Sequence, residues 1–376
     1  MEGLPFFLDA AITRAYTVAI ESAFTPLSPP LLPRLPVPVS VTIYDIAEQA
    51  GVSIATVSRV FNQHPRVSDR TRERVFEVAE RLDYQPHVSA RSLARQNTNL
   101  ISAVVPMMTS YFFMEVIRGL QDRLDESAYD LLVYASRTLG KVDGQLARAA
   151  QKGRADGVLL CSTPLTEKRL DRLQTAATPV VLVDSFHPDV DSVSVDNRRG
   201  GAIAARHLLD LGRERIGLIL PHLDSVPARD RRSGYFDAFQ EAGREVNEAL
   251  IVECGEERDH GYSREAGYEA MRELLARGPR PDAVFAASDV QALGALKAIR
   301  EAGLHAPEDI ALVGFDDIRT SAYVGLSTLR QPMYEMGKLA IEKLFRRIAE
   351  PDRPPSHTTF TPRLVTRETT GASANA

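Results

Sequence analysis

Seven short apolar runs rich in β-branched residues, set between amphipathic stretches, constrain this chain more than any other feature. They cover residues 100–106, 130–135, 157–161, 180–184, 216–220, 283–288 and 310–315. Each is too short for most helices and almost continuously hydrophobic, the pattern of a strand buried on both faces. Such strands belong to parallel sheets, where neighbouring strands need a crossover that is usually helical. The intervening segments supply it. Phe113, Val116, Ile117, Leu120 and Leu124 share one helical face, and Met336, Ala340, Leu344 and Ile348 repeat every four residues. Core packing explains both stripes, and the expected class from about residue 99 to residue 367 is α/β.

The segment from residue 42 to about 84 reads differently, as short helices separated by tight turns. Thr42-Ile43-Tyr44-Asp45 places an acid three residues after a hydroxyl, a capping-box pattern that predicts a helix over 43–50. Gly51 can close that helix in a left-handed conformation. Ser53 can cap a second helix over 54–62, and Ser68 a third that runs to about 83. Two helices joined by so short a turn form a helix-turn-helix, whose second helix offers its N-terminal residues to base edges in a major groove. Ile46, Ala47, Val52, Val57, Val60 and Phe61 are spaced to pack inward, leaving Ile54, Ala55, Thr56, Ser58 and Arg59 outward.

The formal net charge of −5 does not oppose nucleic-acid binding, because it averages over domains. Residues 42–99 hold eight arginines against seven acids, a balance of +1, with five of the arginines between 59 and 74. Phosphate affinity from this segment alone is therefore expected to be modest. Cys161 and Cys254 lie far apart with no C-x-x-C pair, so neither a disulfide framework nor a thiolate metal site is expected, and a reducing cytoplasm fits. Residues 1–40 lack the basic start and uninterrupted apolar stretch of a signal peptide, and the ~20 apolar residues of a membrane span. They are expected to be a flexible or mis-assigned extension, with no membrane partner. No P-loop, G-x-S-x-G, H-E-x-x-H or G-x-G-x-x-G occurs, so no cofactor and no enzymatic activity are expected.

Val41-Thr-Ile-Tyr-Asp-Ile-Ala-Glu-Gln-Ala-Gly-Val-Ser-Ile-Ala-Thr-Val-Ser-Arg-Val-Phe-Asn62 resembles the headpiece of the LacI/GalR (lactose/galactose repressor) family of transcription regulators. The likeness continues through Arg66-Val-Ser-Asp-Arg-Thr-Arg-Glu-Arg-Val75, Tyr84-Gln-Pro86 and Ala90-Arg-Ser-Leu-Ala94, and more weakly through the core. It implies an all-α helix-turn-helix headpiece over 41–85, a hinge over 86–98 and an α/β core over 99–367. That core would be two-lobed, like a type I periplasmic binding protein, and would both bind effector and dimerise. Within it the first lobe is expected over about 99–197 and 307–330, the second over about 198–306 and 331–367, and 368–376 form a loose tail.

The resemblance further implies that Ile54, Ala55 and Arg59 are the principal base readers, with Thr56, Ser58, Asn62, Ser68 and Thr71 near phosphates. Arg59 can donate twice to guanine, a pair worth about 1–3 kcal/mol of discrimination, whereas Ile54 and Ala55 offer apolar contact, for example to a thymine methyl. The alternative for Arg59 is a solvated helix residue. Ala90 and Leu93 fall in the hinge, which in the family becomes helical on DNA and pushes a leucine into the minor groove. Leu93 matches that leucine, the alternative being linker packing. Two headpieces acting together imply a homodimer on a pseudo-palindromic operator.

Ligands of open α/β sheets sit beyond the carboxyl ends of the strands, which selects Asp184 and Asp289 for the cleft. The family resemblance adds Phe112, Phe113, Ser185, Arg231 and Asp316. Carboxylates and guanidinium groups can each take two vicinal hydroxyls, which suits a sugar. Alternatives stand beside four of these: Asp289 as a helix N-cap, Arg231 in a structural ion pair, and Phe112 and Phe113 as core packing. Ser225, Pro227 and Glu256 occupy positions that contact a nucleobase in purine-binding members, which disfavours a purine. The expectation is a cytoplasmic repressor, nucleoid-associated when DNA-bound, controlled by a sugar or sugar derivative. A catabolite-control-type regulator with a phosphoprotein co-effector is the alternative.

Overall fold

The computed structural model describes residues 41–61, 64–84, 97–135, 141–255 and 258–371, which divide at residue 86 into two units. Residues 1–40, Asn62, Glu256 and the hinge residues Ala90 and Leu93 lie outside the described residues.

The first unit follows its capping chemistry. In α1 (Ile43–Ala50) the Thr42 N–H donates to Asp45 Oδ2 at 2.7 Å, and Gly51 ends the helix in the left-handed region at φ 63°. Ser53 Oγ accepts from Thr56 N at 3.1 Å to open α2 (Ile54–Phe61), and Ser68 Oγ accepts from Thr71 N at 3.4 Å to open α3 (Asp69–Arg81). Ile46, Ala47, Val57 and Val60 close over Val75, Val78 and Ala79 of α3, with Val52 and Phe61 at the edge. Arg81 donates to Gln49 Oε1 at 2.8 Å and ties α3 back to α1.

The second unit holds two six-stranded sheets of matching topology. In the first lobe β1 (Leu100–Val105), β2 (Asp130–Ala135), β3 (Gly157–Cys161), β4 (Val180–Val183), β5 (Asp191–Val195) and β11 (His357–Phe360) run parallel in the order β11-β5-β4-β3-β1-β2. The second lobe repeats this with β6 (Ile216–Leu220), β7 (Ile251–Glu253), β8 (Ala283–Ala286), β9 (Ala311–Asp316), β10 (Ser327–Arg330) and β12 (Arg363–Val365), in the order β12-β10-β9-β8-β6-β7. Only β12 is antiparallel to its neighbour. Strand order reverses between β1 and β3 and again between β6 and β8, which opens a crevice at the carboxyl edge of each sheet.

Helices cover both faces. In the first lobe these are α4 (Tyr111–Leu124), α5 (Val142–Ala149), α6 (Glu167–Ala176) and α12 (Met333–Ala349); in the second, α7 (Asn197–Asp210), α8 (Val226–Glu241), α9 (Arg264–Ala276) and α10 (Asp289–Glu301), with the short α11 (Arg319–Tyr323). α4 and α12 press together through reciprocal glycines. A Cβ at Gly119 would stand 2.0 Å from Tyr334 O, and one at Gly337 2.1 Å from Val116 O.

The lobe boundaries and the C-terminal tail differ from expectation. The chain passes between lobes after β5, after β10 and after β11, so residues 311–330 complete the second sheet, whereas α12 and β11 return to the first. The expected allotment of 307–330 to the first lobe and of 331–360 to the second is therefore reversed. The reason is side-chain fit: Met336, Ala340 and Leu344 of α12 fill the core between α4 and the first sheet. Asp191, its side chain 1% exposed, secures the return, pairing with Arg347 at 2.8 Å and accepting from Ser356 N at 2.7 Å. Nor is the described part of the tail loose. Thr369 is buried, accepts from Ser327 N at 2.8 Å and donates to Leu312 O at 2.7 Å.

Candidate functional site

On the first unit, α2 turns an open face outward. Ile54, Ala55 and Arg59 are exposed, Thr56 and Ser58 half-buried, and Val57 and Val60 fully enclosed. The burial follows the helical period, so the same inward valines that hold α2 on α1 and α3 fix which residues point away. Thr56 Oγ1 lies 2.9 Å from the capping Ser53 Oγ, and Thr71 Oγ1 2.9 Å from Ser68 Oγ, so both hydroxyls sit at helix N-termini, where backbone N–H groups favour an anion. Tyr44 of α1, 66% exposed, is a further polar aromatic on this unit that spacing had not singled out.

In the second unit a cleft opens between the lobes, with about 700 Å³ of atom-free space including the solvent at its mouth. Met107 beyond β1, Ser162 beyond β3 and Asp184 beyond β4 line it from the first lobe, with Ser110, Tyr111, Phe112 and Phe113 at the start of α4. Asp316, Arg231 of α8, Ser225, His260 and Tyr262 line it from the second. Ser162, Asp184 and Asp316 all have positive φ, at 41°, 54° and 121°. Non-glycine residues held there are costly, and such strain gathers where side chains must be aimed at a ligand.

A hydrogen-bonded chain runs from one lobe to the other. Ser162 Oγ donates to Asp184 Oδ2 at 2.7 Å, Asn197 Nδ2 donates to Asp184 Oδ1 at 3.4 Å, and Arg231 Nε donates to Asn197 Oδ1 at 2.9 Å. Asn197 opens α7 at the first lobe crossing. Arg231 also donates to Ala287 O at 2.5 Å, stands 3.9 Å from Asp316 Oδ1 and lies over the Phe315 ring at 3.6 Å. Asp316 Oδ1 accepts from Gln331 Nε2 at 2.6 Å, at the second crossing. Burial pushes Asp184 above the usual carboxylate range, against the Ser162 hydrogen bond and the Arg231 charge. Burial likewise pushes Asp316 up to about 7, with Arg231 opposing.

Arg231 thus faces the cleft while being braced by protein acceptors. Phe112 and Phe113 meet edge-to-face at 5.0 Å, belong to the first lobe's core and line the cleft. Two residues expected in the cleft are not brought to it. Ser185 turns into the first lobe, where its Oγ donates to Thr163 O at 3.0 Å. Asp289 is enclosed within the second lobe, and neither the cleft nor the N-cap claims it, because Ser288 caps α10 through Gln291 N at 3.4 Å. Ser162 could have been found by applying the strand-end rule to β3. Tyr262 and His260 follow the three-residue β7, where no periodicity marks them. Ser225 Oγ lies 2.8 Å from Tyr262 Oη, and the Tyr262 ring packs against the first lobe's core.

Among the described residues no cluster of His, Cys, Asp or Glu is arranged to hold a metal, and no helix is long and apolar enough to cross a membrane. Residues 42–87 match the family described as bacterial regulatory proteins, lacI family, and residues 205–370 match the periplasmic binding protein-like domain. The chain is 34% identical over 333 residues to the HTH-type transcriptional repressor PurR of Mannheimia succiniciproducens, covering 87% of this chain and 98% of that protein. It is 35% identical over 334 residues to the ribose operon repressor of Escherichia coli, with the same coverage, and 33% identical over 310 residues to catabolite control protein A of Priestia megaterium, covering 81% and 92%. Among solved structures, the lac repressor dimer bound to operator and the anti-inducer ONPF superposes with TM-score 0.73 at 28% identity, over 89% of this chain and all of that one. A transcriptional regulator CelR–cellobiose complex superposes with TM-score 0.66 at 30% identity, over 88% and 99%.

Proposed function

Because the chain belongs to the LacI family of bacterial regulatory proteins, we propose that this repressor reads a pseudo-palindromic operator as a homodimer under the control of a sugar held between its lobes. The observation that carries the reading is the outward row Ile54, Ala55 and Arg59 on a helix whose other face is locked by Val57 and Val60. A helix so presented offers two apolar contacts and one bidentate donor to a major groove. Ser68 and Thr71, with Thr56, Ser58 and Asn62, take phosphates, and Ala90 and Leu93 act at the operator centre.

Sugar hydroxyls would engage Asp184, Arg231 and Asp316. These residues bond to Asn197 and Gln331 at two crossings, so a ligand that prefers one lobe angle draws on the same hydrogen bonds that set it. The spacing of the two hinges then changes, and operator and sugar affinities are coupled reciprocally, by about 1–3 kcal/mol.

Selection of random duplexes by the purified protein tests the first half. An inverted repeat is expected, and Arg59→Ala should relax one base pair of each half-site by about 1–3 kcal/mol. If Arg59→Ala selects the wild-type motif with undiminished preference, α2 is not the reader. Similarity to catabolite control protein A supports a second reading, a phosphoprotein co-effector, which a sugar-free pull-down from cell extract separates from the first. Fractionation should find the protein in the cytoplasm, on the nucleoid when bound to DNA.

A further inference from the structure

His260 is only 8% exposed, and among the described residues its Nε2 is the one buried polar side-chain atom of the cleft lining with no hydrogen-bond partner. Native chains rarely keep a buried ring nitrogen unmatched without a use for it. The loop that carries it is tightly built. Asp259 and His260 are both left-handed, at φ 54° and 52°. His260 O accepts from His222 N at 2.9 Å, and Gly261 O accepts from Gln291 Nε2 at 3.0 Å. A Cβ at Gly261 would meet Cys254 at 2.9 Å and Pro221 at 3.1 Å, so the loop is also closely packed. Backbone strain maintained by this many contacts aims a side chain.

The charges around the imidazole narrow the ligand. Asp184, Asp224 and Asp316 line the same cleft, and among the described residues its lining holds one guanidinium, Arg231, already engaged by Asn197, Ala287 O and the Phe315 ring. Burial holds the His260 ring below its ordinary range, which keeps it neutral at neutral pH. A phosphate or carboxylate would enter beside these acids, and among the described residues the lining offers it no further guanidinium or ammonium. A hydroxyl can both donate and accept, and so satisfies Nε2 in either tautomer.

We propose that His260 is a ligand-contacting residue that takes one hydroxyl through Nε2, and that the cleft selects an uncharged polyol over a sugar phosphate or sugar acid. This rests on the reading of the cleft as a sugar site, and the test separates the two. Calorimetry on the full chain would use D-ribose, D-glucose and cellobiose, with D-glucose 6-phosphate and D-gluconate as charged counterparts. At least one uncharged sugar should bind, its charged counterparts more weakly. His260→Ala should weaken binding about tenfold while His260→Gln recovers part of it. Should His260→Ala fail to fold, nitrogen-detected NMR of the wild type serves instead, with one histidine ring resonance shifting as sugar is added. Equal affinity in wild type and His260→Ala, or an unshifted ring signal, would remove the role given to His260 and leave the sugar site standing. Preference for the phosphate or acid would overturn the ligand class. If the wild type binds operator but no sugar at all, the sugar reading fails and this inference falls with it.

Discussion

Asp184 and Asp289 each follow a fully buried strand of a sheet with the same strand order, yet they end in opposite places. β4 stops at Val183 and the chain turns at once in a left-handed Asp184, which swings its carboxylate into the cleft. Beyond β8 the chain runs on through Ala287 to the capping Ser288, and Asp289 becomes the first residue of a helix. Its Oδ2 accepts from Ile318 N at 2.9 Å and Ser321 Oγ at 2.6 Å, and its Oδ1 from Thr328 Oγ1 at 2.5 Å. Gly314 makes room, since a Cβ there would stand 2.2 Å from Asp289 Oδ1. The second lobe draws its cleft carboxylate from the next strand, as Asp316. Strand ends thus mark the rim of a site, while the turn chemistry of the next one or two residues decides which side chain enters it.

Substitution should separate the pair. Asp289→Ala strands an amide and two hydroxyls in a dry interior, and at about 1–3 kcal/mol for each unmatched group the second lobe should lose about 3–5 kcal/mol. Urea unfolding of the full chain measures this, and an unchanged midpoint would break the comparison. For Asp184→Asn the larger effect should be on the ligand. The amide keeps shape and some hydrogen bonding while removing a carboxyl that burial disfavours in its charged form, so stability should move by less than about 1 kcal/mol and sugar affinity should fall about tenfold. Collapse of stability with sugar binding intact would make the two aspartates alike after all.

What could be read in advance follows the same division between local and distant causes. The headpiece was legible because caps act within three residues: Thr42 with Asp45, Ser53 with Thr56, Ser68 with Thr71. The seven apolar strands were legible from their own side chains. β5, with two serines in Asp191–Val195, and the short β7, β10, β11 and β12 were not, because pairing partners rather than composition make them strands. The exchange of lobes by α12 depends on how a distant helix fits α4, which no window of sequence contains. Rule and resemblance point to Asp184, Arg231 and Asp316, which line the cleft, whereas the local backbone turns the Ser185 and Asp289 side chains into the lobes.

The smallest expected effect sharpens the contrast within the second lobe. Burial pushes Asp289 up to about 8, with Asp316 adding to it, and pushes Asp316 up to about 7. An unfolded carboxyl releases its proton near 3.9, so between about pH 4 and 8 the folded chain binds more protons than the unfolded one, and from this pair stability declines as pH rises. Asp191 has the opposite sign. Burial acts to raise it, but hydrogen bonds from Arg347 and Ser356 outweigh that and hold it low, so its stabilisation is lost only on acidification below the unfolded value. Urea midpoints at pH 5, 6, 7 and 8 follow this decline, to which the buried Asp184 adds and which His207 and His260, held low by burial, oppose, so the pair is read from the difference between wild type and variant. Asp316→Asn should flatten the decline, because it removes one titrating carboxyl and relieves the charge pressing on Asp289. A decline as steep as in the wild type would assign the titration elsewhere and leave Asp316 ionised throughout that range.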